Sequence, residues 1–207
     1  GAAVRLPTVA IGFWAEVTDW LQLSNYLKQA QAPFQRLRTN TRREIMAPDV
    51  SIFKAYDIRG IVDKTLTEDA VRQIGRVLGT MAHEAGRTSF CVGRDGRLSG
   101  ERLAGALMEG ITSAGVDVID IGMVPTPVLY FATVHFGNGT GVAVTGSHNP
   151  PEYNGLKMMI GGITLFADQI QDILARIRNE DWRTAEVPGT IRREDVVPAY
   201  LERVLSD

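Results

Sequence analysis

The sequence predicts an α/β protein, in which a layered α/β/α domain is built around a mostly parallel, mixed sheet. Between residues 50 and 180, short apolar segments alternate with longer segments whose apolar residues recur at helical spacing. Such alternation is typical of parallel sheets covered by helices, and it places functional loops at the carboxyl ends of the strands. An N-terminal extension and the first helix of a truncated second domain complete the predicted organisation.

The first predicted elements lie between residues 51 and 93. Residues 51–55 form a candidate strand. Thr67 is a candidate N-cap, since two acidic residues follow it in the first turn, where negative charge suits the helix dipole. Gly86 ends this helix, and residues 89–93 form a buried strand. The apolar residues of the helix are Val71, Ile74, Val77, Leu78 and Met81.

A second helix, a strand and a third helix follow. Ser99 is the predicted cap of the second helix, and residues 116–121 alternate apolar and acidic residues as a strand does. Pro125 and Pro127 open a third helix that runs toward Phe136. The apolar face of the second helix is expected at Leu103, Ala106, Leu107, Gly110 and Ile111.

The last part of the chain predicts two strands, two helices and a linker. Residues 141–145 and 156–160 form the strands, and residues 168–177 form an amphipathic helix. The polar residues 181–194 are typical of a linker. A helix begins near residue 196, and a single helix cannot bury its own apolar face. The chain is therefore expected to end inside a second domain.

Three regions follow from these boundaries. Residues 46–190 form the predicted α/β domain, and residues 191–207 are the expected start of a truncated second domain. Residues 1–45 differ in composition from the rest of the chain and have an unknown role. Met46 could be the start codon of an ordinary enzyme, with residues 1–45 as a leader. Alternatively, residues 1–45 could be the tail of a preceding domain.

Composition excludes several other classes of protein. The chain has 207 residues, with 22 Lys plus Arg against 24 Asp plus Glu, and its net charge is −2. A nucleic-acid-binding protein would be strongly basic, so we expect no nucleic-acid partner. No apolar run reaches the roughly 18 residues of a membrane span, so we expect no membrane association. Cys91 is the only cysteine, which excludes an internal disulfide and fits a reducing, cytoplasmic location.

The segment from residue 145 to residue 157 carries the strongest chemical signal. Ser147, His148 and Asn149 place a hydroxyl, an imidazole and an amide in one turn after an apolar strand. Lys157 follows ten residues after the serine. A serine on a stiff loop at a strand end is well placed to accept a phosphoryl group, and nearby cations could neutralise charge or move protons.

Three ordered motifs carry a resemblance to a known family. Residues 145–157 read Thr-Gly-Ser-His-Asn-Pro-Pro-Glu-Tyr-Asn-Gly-Leu-Lys, and this segment resembles the active-site serine loop of the α-D-phosphohexomutases. Residues 54–60 (Lys-Ala-Tyr-Asp-Ile-Arg-Gly) resemble the opening motif of that family. Residues 92–100 (Val-Gly-Arg-Asp-Gly-Arg-Leu-Ser-Gly) resemble its second motif. The glycine before the serine is most similar to the bacterial phosphomannomutase/phosphoglucomutase branch.

The resemblance implies phosphoryl transfer on hexose phosphates. Ser147 would be carried as phosphoserine and would exchange its phosphoryl group with mannose or glucose 1- or 6-phosphate through a bisphosphate intermediate. Mg²⁺ would coordinate Ser147 through its phosphoryl group, and a hexose 1,6-bisphosphate would act as activator. Positioning and electrostatic stabilisation supply most of the catalysis in reactions of this kind.

The resemblance also implies roles for individual residues. Lys157 matches the general acid and base for the sugar hydroxyl, and Arg59 matches the arginine that contacts the active-site phosphate. Tyr56 lines the same region, and His148 matches the residue beside the phosphoserine. Asn149 is expected to join Tyr56, Arg59 and Lys157 in binding substrate phosphate.

Several parts of the family pattern are missing from the chain. They are the metal loop of the second domain, the sugar-specificity loop of the third and the phosphate-binding loop of the fourth. Those three domains would be needed in cis, so we expect the chain alone to be unable to complete a turnover. Two other functions stay open, namely a non-catalytic phosphosugar-binding fragment and an interaction module.

Each candidate residue also has a plain structural interpretation. Ser147 could cap a turn, Lys157 could be a solvated lysine at a sheet edge, and Arg59 could form a surface ion pair. Arg94 and Arg97, with the acidic residue between them, are expected to brace the loops. The lone cysteine is expected to be a small buried residue.

Overall fold

The computed structural model describes residues 47–206, and the predictions for residues 1–46 and for residue 207 lie outside this range. The helices of the described range are α1 (Glu68–Glu84), α2 (Gly100–Ser113), α3 (Thr126–His135), α4 (Asp168–Arg178) and α5 (Val197–Leu205). Its strands are β1 (Ile58–Ile61), β2 (Ser89–Arg94), β3 (Asp117–Met123), β4 (Gly141–Val144), β5 (Tyr153–Ile160), β6 (Ile163–Thr164) and β7 (Ile191–Arg193).

The strands form one mixed sheet. Their order is β1-β5-β4-β2-β3-β7, and β6 pairs with the end of β5. Strands β4, β2, β3 and β7 are mutually parallel, whereas β5 is antiparallel to each strand that it touches. Strand β5 therefore runs against all the others. The predicted fold class, a layered α/β domain with a mixed sheet, is confirmed.

Helices cover both faces of the sheet. On one face, α1, α2 and α4 contribute buried residues to the larger apolar core, together with Phe90, Val142 and Leu156 from the strands. On the other face, α3 packs on Cys91, Ile119 and other buried strand residues, and the segment that leads into α5 joins this second core. Among the described residues, no helix is both long enough and apolar enough to cross a membrane.

Helices α1 and α2 cross with their backbones in close contact. A Cβ on Gly75 would overlap the carbonyl oxygen of Leu107, and a Cβ on Gly110 would overlap the carbonyl oxygen of Arg72. Both glycines are buried. The glycines are thus required by the distance between the two helices, which pack together as one layer on the sheet.

Most of the predicted elements lie where the sequence placed them. Thr67 accepts a hydrogen bond from the Ala70 N–H at 3.2 Å and so caps α1. Gly86 follows the helix in a left-handed conformation, with φ of 69°. The five predicted face residues of α2 are buried. Ser99 occupies the predicted N-cap position of α2, but its side chain makes no capping bond and instead accepts a hydrogen bond from Asn154 Nδ2 at 2.9 Å.

The predicted strand at residues 51–55 is also wrong. The Asp49 side chain accepts a hydrogen bond from the Ser51 N–H at 2.8 Å, and this turn begins a 3-10 helix over Val50–Ile52. An aspartate that binds the backbone two residues ahead favours a turn over a strand. The strand comes later, as β1.

The predicted linker contains a strand of the sheet. Asp117 Oδ1 accepts hydrogen bonds from the Thr190 N–H at 2.7 Å and from the Thr190 hydroxyl at 2.8 Å. These bonds lower the pKa of the Asp117 carboxyl and guide the chain into β7, which pairs in parallel with β3. Residues 191–193 are therefore an edge strand and not a linker. The domain boundary at residue 190 stays a prediction.

The close crossing of α1 and α2 predicts opposite effects for two glycines of one helix. Gly110→Ala is expected to lower the free energy of unfolding by about 1–3 kcal/mol, because the methyl group overlaps the backbone of α1. Gly105→Ala is the matched control: its Cβ would meet open space, and it should raise stability by up to about 1 kcal/mol through helix propensity. Urea denaturation, monitored by circular dichroism, measures the free energy of unfolding of both variants. Equal effects would contradict the close crossing.

The buried thiol of Cys91 predicts a dependence on pH. Burial raises the pKa of Cys91 to about 11. Between about pH 9 and pH 11 only the unfolded chain ionises this thiol, so its contribution to stability is lost as the pH rises through that window. At pH 8, a chromogenic disulfide reagent should react at least about a hundredfold more slowly with the folded chain than with the unfolded chain, because the thiol is both buried and less ionised. Equal rates would contradict the burial of this thiol.

Candidate active site

Ser147 lies on a tight loop directly after β4. It adopts a left-handed backbone conformation, with φ of 50°, which is uncommon for a residue with a side chain. Its N–H donates to Thr145 Oγ1 at 2.9 Å. The N–H of Asn149 donates to the carbonyl oxygen of Gly146 at 3.0 Å and closes the turn. The Ser147 side chain is exposed, so its hydroxyl is accessible at the carboxyl end of the strand.

Two cationic side chains of the predicted site share one buried carboxylate. Arg59 Nη2 donates to Asp57 Oδ2 at 2.7 Å, and Lys157 Nζ lies 3.7 Å from the same oxygen. The Asp57 side chain is 7% exposed, whereas those of Arg59 and Lys157 are 37% and 32% exposed. Because one negative charge faces two positive charges, the cluster keeps a net positive charge that can attract a phosphate group.

The antiparallel strand β5 explains why these cations lie together. Lys157 is the register partner of Ala143 near the end of β4, and Arg59 is the partner of Gly155. Side chains alternate along a strand and directly opposed residues share a face, so Arg59 and Lys157 lie on the same face of the sheet. The reversed direction of β5 therefore places Lys157 beside β4, the strand that precedes the serine loop, and β1 adds Arg59 on the other side of β5.

Asn149 connects this cluster to the serine loop. Arg59 Nη1 makes a long hydrogen bond of 3.5 Å to Asn149 Oδ1. The amide of the same side chain donates to the carbonyl oxygen of Gly146 at 2.8 Å. The structure thus brings Arg59, Asn149 and Lys157 together around the turn that holds Ser147.

A second loop, from residue 95 to residue 99, supports the serine loop from the end of β2. Asp95 Oδ2 accepts a hydrogen bond from the Gly146 N–H at 3.0 Å and lies 3.4 Å from Arg97 Nε. Arg97 donates to backbone carbonyl groups of the serine loop, so the prediction that it braces the loops is confirmed. Arg94 instead lies 3.8 Å from Glu101 in a surface ion pair.

Tyr56 and His148 stand apart from the other predicted site residues. The Tyr56 side chain is 77% exposed, and that of His148 is also exposed. Within residues 47–206, neither side chain forms a hydrogen bond or an ion pair with Arg59, Asn149 or Lys157. Their predicted roles in substrate binding and catalysis stay predictions.

Sequence reasoning missed Asp57 and the direct contact of Asp95 with the serine loop. Asp57 lies inside the first motif, two residues before Arg59, and an acid so close to a predicted phosphate-binding arginine is the signal that could have found it. A cleft of about 450 Å³ lies beside the second loop, lined by residues that include Arg97, Ser99 and Pro151. None of the predicted substrate-binding residues lines it, so it gives no support for placing a sugar there.

The described residues offer few ligands for a metal ion. Within residues 47–206, no group of three or more His, Cys, Asp or Glu side chains is arranged to hold one. Asp57 is already engaged by two cations. A phosphoryl group on Ser147 would be the one exposed anionic ligand that the predicted site supplies to a divalent cation.

The comparison with known families identifies the family of this domain. The model of the family described as "Phosphoglucomutase/phosphomannomutase, alpha/beta/alpha domain I" matches residues 50–184. The chain belongs to the phosphoglucomutase/phosphomannomutase family. The match includes the serine loop, the second loop and the Asp57 cluster, and it stops before β7. The resemblance inferred from the three motifs is therefore confirmed.

Individual relatives agree with this family assignment. The chain is 49% identical over 154 residues to a phosphoglucomutase of Neisseria gonorrhoeae, which covers 74% of this chain and 34% of the relative. It is 45% identical over 157 residues to a phosphomannomutase/phosphoglucomutase of Pseudomonas aeruginosa, covering 76% and 34%. A crystal structure of a family protein from Burkholderia thailandensis superposes with a TM-score of 0.73 at 45% identity, covering 77% of this chain and 36% of that one.

The chain spans about a third of the length of the curated relatives that it matches. In this phosphoglucomutase/phosphomannomutase domain, the geometry around Ser147 provides an accessible hydroxyl, two cations on one carboxylate and a braced loop. The arrangement is suited to binding a phosphorylated ligand and to holding a nucleophile at a fixed position.

The shared carboxylate predicts that Asp57 stabilises the site. Asp57→Asn is expected to lower the free energy of unfolding by about 1–2 kcal/mol, because Arg59 and Lys157 lose their charged partner. Asp172→Asn is the matched control, since the Asp172 side chain is 48% exposed and its partner Arg176 keeps Glu84. Urea denaturation should show a clearly smaller loss for the control. Equal losses would contradict a special role for Asp57.

Proposed function

We propose that this chain carries the phosphoserine site of a hexose-phosphate mutase. The observation that carries the proposal is the exposed Ser147, on a left-handed turn at the end of β4, in which Asn149 contacts Arg59, one of the two cations that Asp57 holds. Membership of the phosphoglucomutase/phosphomannomutase family supports it. Phosphoryl transfer depends mainly on positioning and on neutralising charge, and this geometry offers both.

The proposed reaction assigns one role to each residue of the cluster. Phosphorylated Ser147 gives its phosphoryl group to a sugar hydroxyl, so that the bond from phosphorus to the Ser147 oxygen breaks and a bond to the sugar oxygen forms. Lys157, in its neutral amine form, takes the proton of that hydroxyl and returns it in the reverse step, and the departing Ser147 oxygen is protonated by solvent. Arg59 and Asn149 bind the phosphate of the substrate, with Tyr56 and His148 at the rim of the site.

Both proposed cofactors act at Ser147. Mg²⁺ would be held through the phosphoryl group of Ser147 and would neutralise charge on the group in transfer. No other cluster in residues 47–206 supplies metal ligands, so the remaining ligands would come from outside this range or from water. A hexose 1,6-bisphosphate would load the serine with its phosphoryl group.

The proposed substrates are mannose and glucose phosphates, in the 1- and 6-phosphate forms. The chain covers about a third of its relatives, and we propose that full turnover needs the further domains in cis. The chain by itself is then expected to perform the half-reaction at Ser147 and not the complete isomerisation. A non-catalytic phosphosugar-binding role would retain binding without the half-reaction.

The test of the proposal is phosphorylation of Ser147. The purified chain, incubated with Mg²⁺ and glucose 1,6-bisphosphate, is expected to gain about 80 Da, the mass of one phosphoryl group. Ser147→Ala should gain nothing. Ser113→Ala is the matched control, because that serine lies at the far end of α2 and its hydroxyl donates to the Gly110 carbonyl oxygen. Intact-mass spectrometry and peptide mapping follow both variants.

Three outcomes separate the alternatives. A gain in mass at Ser147 in the native chain and in Ser113→Ala supports the proposal. Binding of glucose 6-phosphate by calorimetry without any gain in mass favours the phosphosugar-binding role. Conversion of glucose 1-phosphate to glucose 6-phosphate by the chain alone would overturn the expectation that further domains are needed.

A further inference from the structure

The guanidinium group of Arg97 donates nearly all of its hydrogen bonds to the backbone of the serine loop. Nη1 donates to the carbonyl oxygens of Pro150 at 2.6 Å and Tyr153 at 3.0 Å. Nη2 donates to those of Asn149 at 2.6 Å and Ser147 at 3.3 Å. One side chain therefore joins both ends of the loop. Only a planar guanidinium can donate in so many fixed directions at once.

The same guanidinium fills the space beside Gly146. A Cβ at position 146 would overlap the Cζ and Nε atoms of Arg97. Arg97 cannot move aside cheaply, because its donors are engaged by the four carbonyl groups and its Nε faces Asp95. Gly146 thus leaves free the space that the Arg97 guanidinium occupies.

Asp95 completes the connection. Its Oδ2 accepts a hydrogen bond from the Gly146 backbone N–H, and its Oδ1 accepts one from the Arg97 backbone N–H at 3.0 Å. The Arg97 side chain is 17% exposed and that of Asp95 is 27% exposed. Charge-assisted hydrogen bonds that are partly shielded from water are stronger than those at the surface. The end of β2 therefore holds both flanks of the residue that carries the hydroxyl.

We infer that Arg97 is a positioning residue for Ser147, and that its position is coupled to the absence of a side chain at Gly146. The left-handed conformation of Ser147 is unfavourable by itself and persists only where its surroundings fix it. Its carbonyl oxygen accepts from Arg97, and its N–H is held by Thr145. Arg97 thus sets the direction of the hydroxyl without contacting a substrate. The functional part of this inference rests on the proposed function.

Amide hydrogen exchange tests the structural part without any activity. Arg97→Lys keeps the positive charge but cannot reach four carbonyl groups, and it is expected to speed exchange at Gly146, Ser147 and Asn149 by about tenfold or more. Amides of β3 should keep their rates. Arg176→Lys is the matched control, since the Arg176 side chain is 20% exposed and pairs with Glu84 and Asp172. Native exchange rates at the loop in Arg97→Lys would overturn the inference.

A double-mutant cycle tests the pairing with Gly146. Gly146→Ala alone is expected to speed exchange across the loop about as much as Arg97→Ala does, because the methyl group displaces the guanidinium. In the Arg97→Ala background, the same alanine should add less than about twofold, since the space is then free. Independent, multiplying effects of the two substitutions would overturn the pairing.

The rate of phosphoryl uptake separates a positioning role from a merely stabilising one. In Arg97→Lys, the maximal rate of Ser147 phosphorylation by glucose 1,6-bisphosphate should fall by about tenfold to a hundredfold, because the hydroxyl is misplaced. The concentration for half-maximal rate should change less than about twofold, since Arg59 and Lys157 are intact. An unchanged maximal rate overturns the positioning role. If the native chain takes up no phosphoryl group, the proposed function fails, and the exchange results alone decide whether Arg97 holds the loop.

Discussion

The bond from Asp95 to the Gly146 N–H joins the carboxyl ends of two neighbouring parallel strands, and the site depends on that junction. The second loop follows strand β2, and the serine loop follows strand β4. Parallel strands place the loops that follow them at one edge of the sheet. Being neighbours, however, does not by itself hold two loops at a fixed distance from each other. The carboxylate and the guanidinium of the second loop hold the two loops at a fixed distance, which the nucleophile that we propose at Ser147 would need.

The single reversed strand has an equally specific consequence. If β5 were parallel to β4, a crossover would be needed and its first residues would lie at the opposite edge of the sheet. Because β5 returns directly from the serine loop, Lys157 lies next to the strand that carries Ser147, and β1 can add Arg59 on the other side. The reversal of one strand in a sheet whose other strands share one direction thus gathers the cations of two separated motifs, Arg59 and Lys157, near one turn.

Local patterns in the sequence were sufficient for most of the fold. Helices α1, α2 and α4 have apolar residues at clear helical spacing, and the buried strands are short apolar runs between turn residues. The elements that were not predicted from these patterns have a shared cause. Three side chains make contacts that the periodicity of apolar residues does not encode. The contact of Asp49 forms a turn, that of Ser99 replaces a capping bond, and that of Asp117 leads into an edge strand. The site shows the same limit. The motifs marked Ser147, Arg59 and Lys157, whereas the role of Asp57 needs three-dimensional proximity.

Strand β7 has a consequence for where this domain can be divided. The family match ends at residue 184, but the outer edge of β3 is covered by residues 191–193. Strand β3 contains the buried Val118 and Ile119, and β7 pairs with it over residues 118–120. A fragment cut at the family boundary would leave a bare apolar strand able to recruit the same edge of another copy, which is the usual start of intermolecular β-sheet aggregation. For laboratory expression of this domain, the safe boundary therefore lies beyond Arg193.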